Sequence, residues 1–431
     1  MTCEVMLMNL EGVALAADSA VTIIGGRNPR VLSQSGVDKI FVLDETAPVG
    51  AMIYGVASFA DFPWKTVFGA FTSTAAGKID GVESCAKALV SFLGALDSNG
   101  GAGGLAIPKN AEAASFADYV EGFVDRFYTL MIQRGWDDST PPPADLPELA
   151  LAHLRDEILY DAEYVVEGMV KPPAKPKGRP KIAEPSDRLA TFLSEHLKPR
   201  LDRALKRYFP KGGVPEGVRS GLDTLCAQSV LVEWLPPAIP VTGLVLAGFG
   251  KKSHTPTYVN LQILGAFGGV LQYRYEKAGG PVAGRQPVVF ESYAQDELIH
   301  AFRYGAQYGF ISTAYEATLH AFAQSFEDML ELVARKDQAL AAEAAAIADK
   351  ALLQAPAIGM IVAMQEREAH VARTFGPLLD SASIDVLGRH ATKLVELSII
   401  EHELTGSGSV GRPVSLLRME KGRCRLEKDG A

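Results

Sequence analysis

Residues 2–19 read TCEVMLMNLEGVALAADS. Residues 3–8 are apolar except for Glu4, Asn9-Leu10-Glu11-Gly12 supplies turn chemistry, and residues 13–17 run apolar again. Two short apolar runs joined by Asn and Gly predict a β-hairpin. Its second strand ends on a carboxylate, Asp18, followed by Ser19. Outward from this hairpin, residues 38–43 and 49–57 predict a second strand pair joined through Asp44-Glu45-Thr46-Ala47-Pro48. From about residue 59 the apolar period shifts towards that of a helix.

Helices are expected near 60–73, 82–96, 111–134, 146–169, 187–208 and 214–229, with a glycine-rich break at 98–104. Residues 171–181, KPPAKPKGRPK, open a Pro-rich basic linker over 171–186 that reads as a solvated tether. Strand character returns at 241–248, 258–264, 268–275 and 288–291. Residues 294–404 read as almost unbroken helix, and strands at 413–419 and 423–427 close the chain. Strand groups flanking two helix runs suit two sheets packed face to face with helices on their outer faces. The expected fold is therefore α+β, a four-layer αββα sandwich formed by residues 1–96 and 237–431. A mainly helical insertion occupies 97–236.

The chain has 431 residues, 48% apolar and 22% charged, enough for a sizeable core. A net charge of −9 argues against a general nucleic-acid binder. The four cysteines are dispersed with no CxxC pair, which predicts a reduced, cytoplasmic setting. No Lys or Arg precedes Arg27, and Glu4, Asn9 and Glu11 interrupt the first apolar run, so the start is not read as a secretory signal. No stretch is apolar for long enough to predict a membrane span. The eight histidines show no metal-ligand spacing.

Four residues carry candidate chemistry. Thr2, once Met1 is trimmed, offers a hydroxyl and a free α-amine on one residue. That amine titrates at about 7.7–8.0, near enough to neutrality to accept the hydroxyl proton. Lys39 lies inside an apolar strand, where its ammonium needs a partner, and Asp18 can be that partner. A cation near the terminal amine favours the amine's neutral form. Without Thr2, Asp18 and Lys39 read as an ordinary structural ion pair. Gly55 ends the strand that Tyr54 precedes, where its N–H can face a developing oxyanion. Cys3 adjoins Thr2, but strand alternation turns it to the opposite face, into the core.

Thr2, Glu11-Gly12, residues 13–19 (VALAADS), Lys39-Ile40-Phe41 and Gly55 together resemble the N-terminal third of proteasome β-subunits and their bacterial relatives, over about 60 residues. The interval from Thr2 to Asp18 equals that family's interval from nucleophile to Asp. The stretch to Lys39 is longer, with Gly25-Gly26-Arg27-Asn28-Pro29 as the extra loop. The resemblance implies an N-terminal-nucleophile hydrolase of peptide or amide bonds. Thr2 is then the nucleophile and its amine the base, Asp18 and Lys39 the activating pair, and Gly55 the oxyanion donor. Ser292 falls where the family places a Ser that supports the amine. No metal or cofactor is implied. A peptide or protein substrate, homo-oligomeric rings and an unfolding ATPase partner are implied by the resemblance alone.

The chain departs from the family late. SGSVGRPV (residues 407–414) holds Ser407 and Val410 where an Asp and a Ser commonly support the site, and Ala20-Val21 replaces an Arg. These departures and the insertion keep two alternatives open, a structural or assembly subunit and an amidase acting on small molecules. Gly248-Phe249-Gly250-Lys251-Lys252-Ser253 lacks the earlier glycine of a phosphate loop. Ser84-Cys85-Ala86-Lys87 lacks the partners of a serine–lysine hydrolase. Asp296, Glu297, His300 and Arg303 fit a solvated helix face.

Overall fold

The computed structural model describes the chain outside residues 1–2, 26–29, 35, 76, 97–101, 139, 144, 161–184, 211–213, 233, 238, 295–298, 300, 302–307, 341–354, 406–409 and 429–431. It is a mixed α+β protein with two five-stranded antiparallel sheets and about ten helices. The chain divides into two compact units. One comprises Met1–Val37, Gly280–Arg418 and Arg425–Ala431, and the other Asp38–Gly279 with Met419–Cys424.

In the first unit, β1 (Cys3–Met8) and β2 (Gly12–Ala17) form the expected hairpin, with Glu4 opposite Ala17 and Met8 opposite Val13. Later elements complete the sheet: β12 (Val289–Ala294) pairs with β1, and β13 (Ser415–Glu420) and β14 (Arg423–Lys428) extend it beyond β2. Every residue of β1 and β2 is buried, which is why both strands read as continuous apolar runs. Cys3, Val5, Leu7, Ala14 and Ala16 pack against Leu387, Ala391, Val395 and Ile399. Those four recur every three or four residues along the helix Ile384–Thr405, so one stripe faces the sheet.

The second unit carries the sheet β11-β10-β9-β6-β5, where β5 is Ile40–Asp44, β6 Val49–Gly55, β9 Thr242–Gly248, β10 Thr257–Phe267 and β11 Val270–Gly279. Helices α1 (Trp64–Ala75) and α2 (Val82–Gly94) cover one of its faces, packing Val67, Phe71, Leu89 and Leu93 with Ala51, Ile53, Leu244 and Leu246. Helices α3 (Lys109–Ile132), α4 (Leu146–Tyr160), α5 (Asp187–Tyr208) and α6 (Glu216–Ser229) build a separate apolar core around Phe116, Phe123, Phe127 and Leu222. A forked ion pair joins α3 to α4, with Arg126 donating to both oxygens of the buried Glu157.

The structure adds two short strand pairs and divides the last helix run. β3 (Val21–Gly25) pairs with β4 (Arg30–Gln34) on either side of the expected extra loop, of which residues 26–29 lie outside the described residues. A second short pair, β7 (Ser58–Phe59) with β8 (Phe62–Pro63), precedes α1. The run 294–404 is not one helix, because α7 (Tyr308–Ala334), α8 (Ala355–Asp380) and α9 (Ile384–Thr405) are separate. A residue distant in sequence caps the α8–α9 break. Asn9 Nδ2 donates to the carbonyls of Leu379 (2.9 Å), Asp380 (3.2 Å) and Ala382 (2.8 Å), satisfying helix-end acceptors that would otherwise be orphaned. Residues 171–184 of the basic linker lie outside the described residues. No described helix is long and apolar enough to cross a membrane.

Candidate active site

Asp18 follows β2 directly, 1% exposed, and three backbone N–H groups hold its carboxylate. Oδ1 accepts from Cys3 N–H at 2.9 Å, while Oδ2 accepts from Ala20 N–H at 2.9 Å and Gly411 N–H at 3.0 Å. The Asp18 N–H in turn donates to Cys3 O at 3.2 Å. The side chain thus takes the place of a ladder carbonyl where the β1–β2 hairpin opens, and fixes the backbone immediately after Thr2. Multiple N–H bonds satisfy a buried carboxylate's need for hydrogen bonds.

The same knot draws in the late segment 407–414. Ser19 N–H donates to Gly411 O at 3.1 Å, and Val37 N–H donates to Ser19 O at 3.1 Å. Gly411 has only the Ala20 Cβ close to where its own side chain would begin, 3.4 Å away. Val410 is buried in the apolar cluster of Cys3 and Val5. Thr2 and Ser407 lie outside the described residues.

Lys39 and Gly55 belong to the second unit, at one end of the β5–β6 pair. Lys39 is 2% exposed, and its carbonyl accepts from Ile53 N–H at 2.9 Å. Gly55 closes β6 with φ of +76° and is exposed. A Cβ there would stand 2.4 Å from Val241 O, so a steric requirement for glycine exists independently of any oxyanion role. Beside it, Thr242 Oγ1 donates to Val56 O at 2.7 Å and accepts from Trp64 Nε1 at 3.1 Å. These bonds fix the turn leaving β6.

Ser292 lies in β12, paired with Val5 of β1. Cross-strand partners share a face, so it lies on the side of Cys3 and Val5. Pairing register, which sequence does not print, decides the face Ser292 shares.

Sequence reading missed three features: the N–H groups of Cys3 and Gly411 as carboxylate donors, the buried Ser19 hydroxyl, and Glu4. Glu4 is fully buried in β1, opposite Ala17 on one side and Tyr293 on the other. A charged residue inside an apolar strand was the available signal for Glu4. Among the described residues no group of three or more His, Cys, Asp or Glu side chains is placed to hold a metal ion.

No protein-family model matches this chain, and a search of curated proteins found no match either.

Proposed function

We propose that this chain is a threonine-type N-terminal-nucleophile hydrolase of peptide or other amide bonds, acting through Thr2 after removal of Met1. The observation that carries the reading is the Asp18 cage. A buried carboxylate joins the residue following Thr2 to Gly411 of the late segment, the two regions where the proteasome-like resemblance concentrates its site. In this reading the two sheets are the inner layers of an αββα sandwich.

The chemistry follows from the residue types. The Thr2 α-amine takes the Oγ proton as Oγ attacks the amide carbon. The resulting alkoxide draws on the N–H of Gly55, and the protonated amine then delivers its proton to the leaving nitrogen. Water, deprotonated by the same amine, cleaves the acyl ester. The resemblance assigns Lys39 and Asp18 the task of holding the amine in its neutral form before attack.

A structural or assembly subunit is the second reading, favoured by Val410. An apolar, buried side chain at that position cannot support the amine. Ring assembly and an ATPase partner are part of the first reading by resemblance only. One experiment separates the two: react the purified chain with an electrophilic peptide and map the adduct by mass spectrometry beside Thr2→Ala. The enzyme reading expects a free Thr2 terminus and an adduct on it that the substitution abolishes. A retained Met1, or labelling unchanged in Thr2→Ala, would refute it.

A further inference from the structure

Leu397, Ile400 and Leu404 are 48%, 45% and 83% exposed. They lie on α9, whose stripe of Leu387, Ala391, Val395 and Ile399 packs in the core of the first unit's sheet. At 3.6 residues per turn, the exposed three stand about half a turn round the helix from that stripe. A surface helix ordinarily turns a polar side to water, so a helix apolar on two opposite sides is one that is covered on both. The exposed apolar surface is also concentrated here. Among the described residues, nine of the fourteen exposed large apolar side chains lie between Met329 and Leu404. Spacing defines the seam on the outer side of α9. Val386, His390, Lys393, Leu397, Ile400 and Leu404 recur alternately four and three residues apart, the repeat by which two helices pack side by side.

We propose that the occupant of this seam is α9 of a second copy of this chain, lying antiparallel across a two-fold axis. The charges of the helix select both the occupant and its direction. Arg389 and Lys393 lie in the N-terminal half of α9, whereas Glu396, Glu401 and Glu403 lie in the C-terminal half. The helix is therefore complementary to its own reverse. An antiparallel pair sets Leu404 opposite the partner's Val386, Ile400 opposite the partner's His390, and Leu397 along the aliphatic stem of the partner's Lys393. Arg389, Glu396 and Glu403 repeat every seven residues along one flank of the seam. Arg389 then meets the partner's Glu403, and symmetry makes that contact twice. Glu396 falls near the axis, where the Arg412 paired with it at 3.6 Å in each copy offsets the repulsion.

A parallel pair fails on the same residues. It sets Lys393 against the partner's Lys393 and Glu396 against the partner's Glu401, two contacts between like charges. The antiparallel contact is isologous and is complete with two chains, so it does not by itself build a ring. It holds whether or not Thr2 is a nucleophile.

The test is sedimentation velocity on the full chain from nanomolar to high micromolar concentration, comparing wild type, Leu397→Glu, Arg389→Glu and the double variant Arg389→Glu/Glu403→Arg. Wild type is expected to show a reversible monomer–dimer equilibrium. Leu397→Glu is expected to raise the dimer dissociation constant at least about a hundredfold, because each dimer buries the change twice. Arg389→Glu is expected to raise it about tenfold, and the double variant to return it to within about threefold of wild type. Arg389 and Glu403 are both exposed, so this charge-swap arm reads the pairing even where Leu397→Glu perturbs the helix. Far-UV circular dichroism of every variant should match wild type. A wild type that stays monomeric throughout overturns the proposal and leaves the seam to a different protein or a lipid surface. An oligomer that Leu397→Glu leaves intact overturns it as well. A double variant no tighter than Arg389→Glu overturns the antiparallel assignment. Failure of the electrophile to label Thr2 touches none of these outcomes.

Discussion

Both oxygens of Asp18 are taken up by backbone N–H groups, so its removal leaves three buried donors at once. Each unsatisfied donor costs roughly 1–3 kcal/mol, and Asp18→Ala should therefore destabilise by about 3 kcal/mol or more. Asp18→Asn keeps one acceptor oxygen but turns an amide donor towards a backbone donor, so it should fall between Ala and wild type. Urea unfolding midpoints test the order. An Asp18→Ala midpoint equal to that of wild type would mean that the cage does not exist in solution. The thiols offer a second residue-scale test. Burial, with Asp44 nearby, pushes Cys85 up to about 12, and burial raises Cys226 as well. Cys3 is also buried, whereas Cys424 is partly exposed, with burial and then Glu45 and Asp44 raising it. The thiolate is the species that reacts with alkylating agents. Iodoacetamide should therefore label Cys424 alone in the native protein, slowly at pH 7 and faster as pH rises. Native labelling of Cys3, Cys85 or Cys226, read by peptide mass spectrometry, would contradict the described burial.

At the scale of elements, Asn9 joins two ends of the chain. Its Oδ1 accepts from Glu11 N–H and Gly12 N–H, each at 3.0 Å, and makes the β1–β2 turn, while its Nδ2 closes the end of α8. The two functions separate by substitution. Asn9→Asp retains the turn acceptor but sets a carboxylate among three carbonyls. It should lose at least as much stability as Asn9→Ala, about 2–4 kcal/mol. A wild-type melting temperature for Asn9→Asp would show that the α8 cap is dispensable. Most elements were legible because their signals are local. Asn-Gly chemistry between apolar runs marked the first hairpin, and apolar spacing of three and four marked α1 to α6. The cap on the end of α8 was not legible, since its donor lies some 370 residues away in Asn9. Sequence also marked Asp18, through a carboxylate ending an apolar strand. It could not supply the donors at Cys3 and Gly411 or the face of Ser292, because both depend on tertiary register.

Across the whole molecule, the three apolar cores differ in how chain segments build them. The helical core of the second unit joins residues on both sides of the basic linker, with Phe116, Phe127 and Leu154 before it and Leu189, Leu201 and Trp234 after it. Cutting the linker should therefore leave this core intact, because burial and not chain continuity holds the halves together. The linker sequence defines where trypsin acts. Lys171, Lys175 and Arg179 each precede proline, which blocks cleavage, whereas Lys177-Gly178 and Lys181-Ile182 are cleavable bonds. Brief native digestion should cut first at those two bonds. The fragments should co-elute on size exclusion, separate only under denaturing conditions, and retain wild-type reactivity at Thr2. Fragments that separate without denaturant, or an earlier cut within α3 to α6, would show that the core does not span the linker as described.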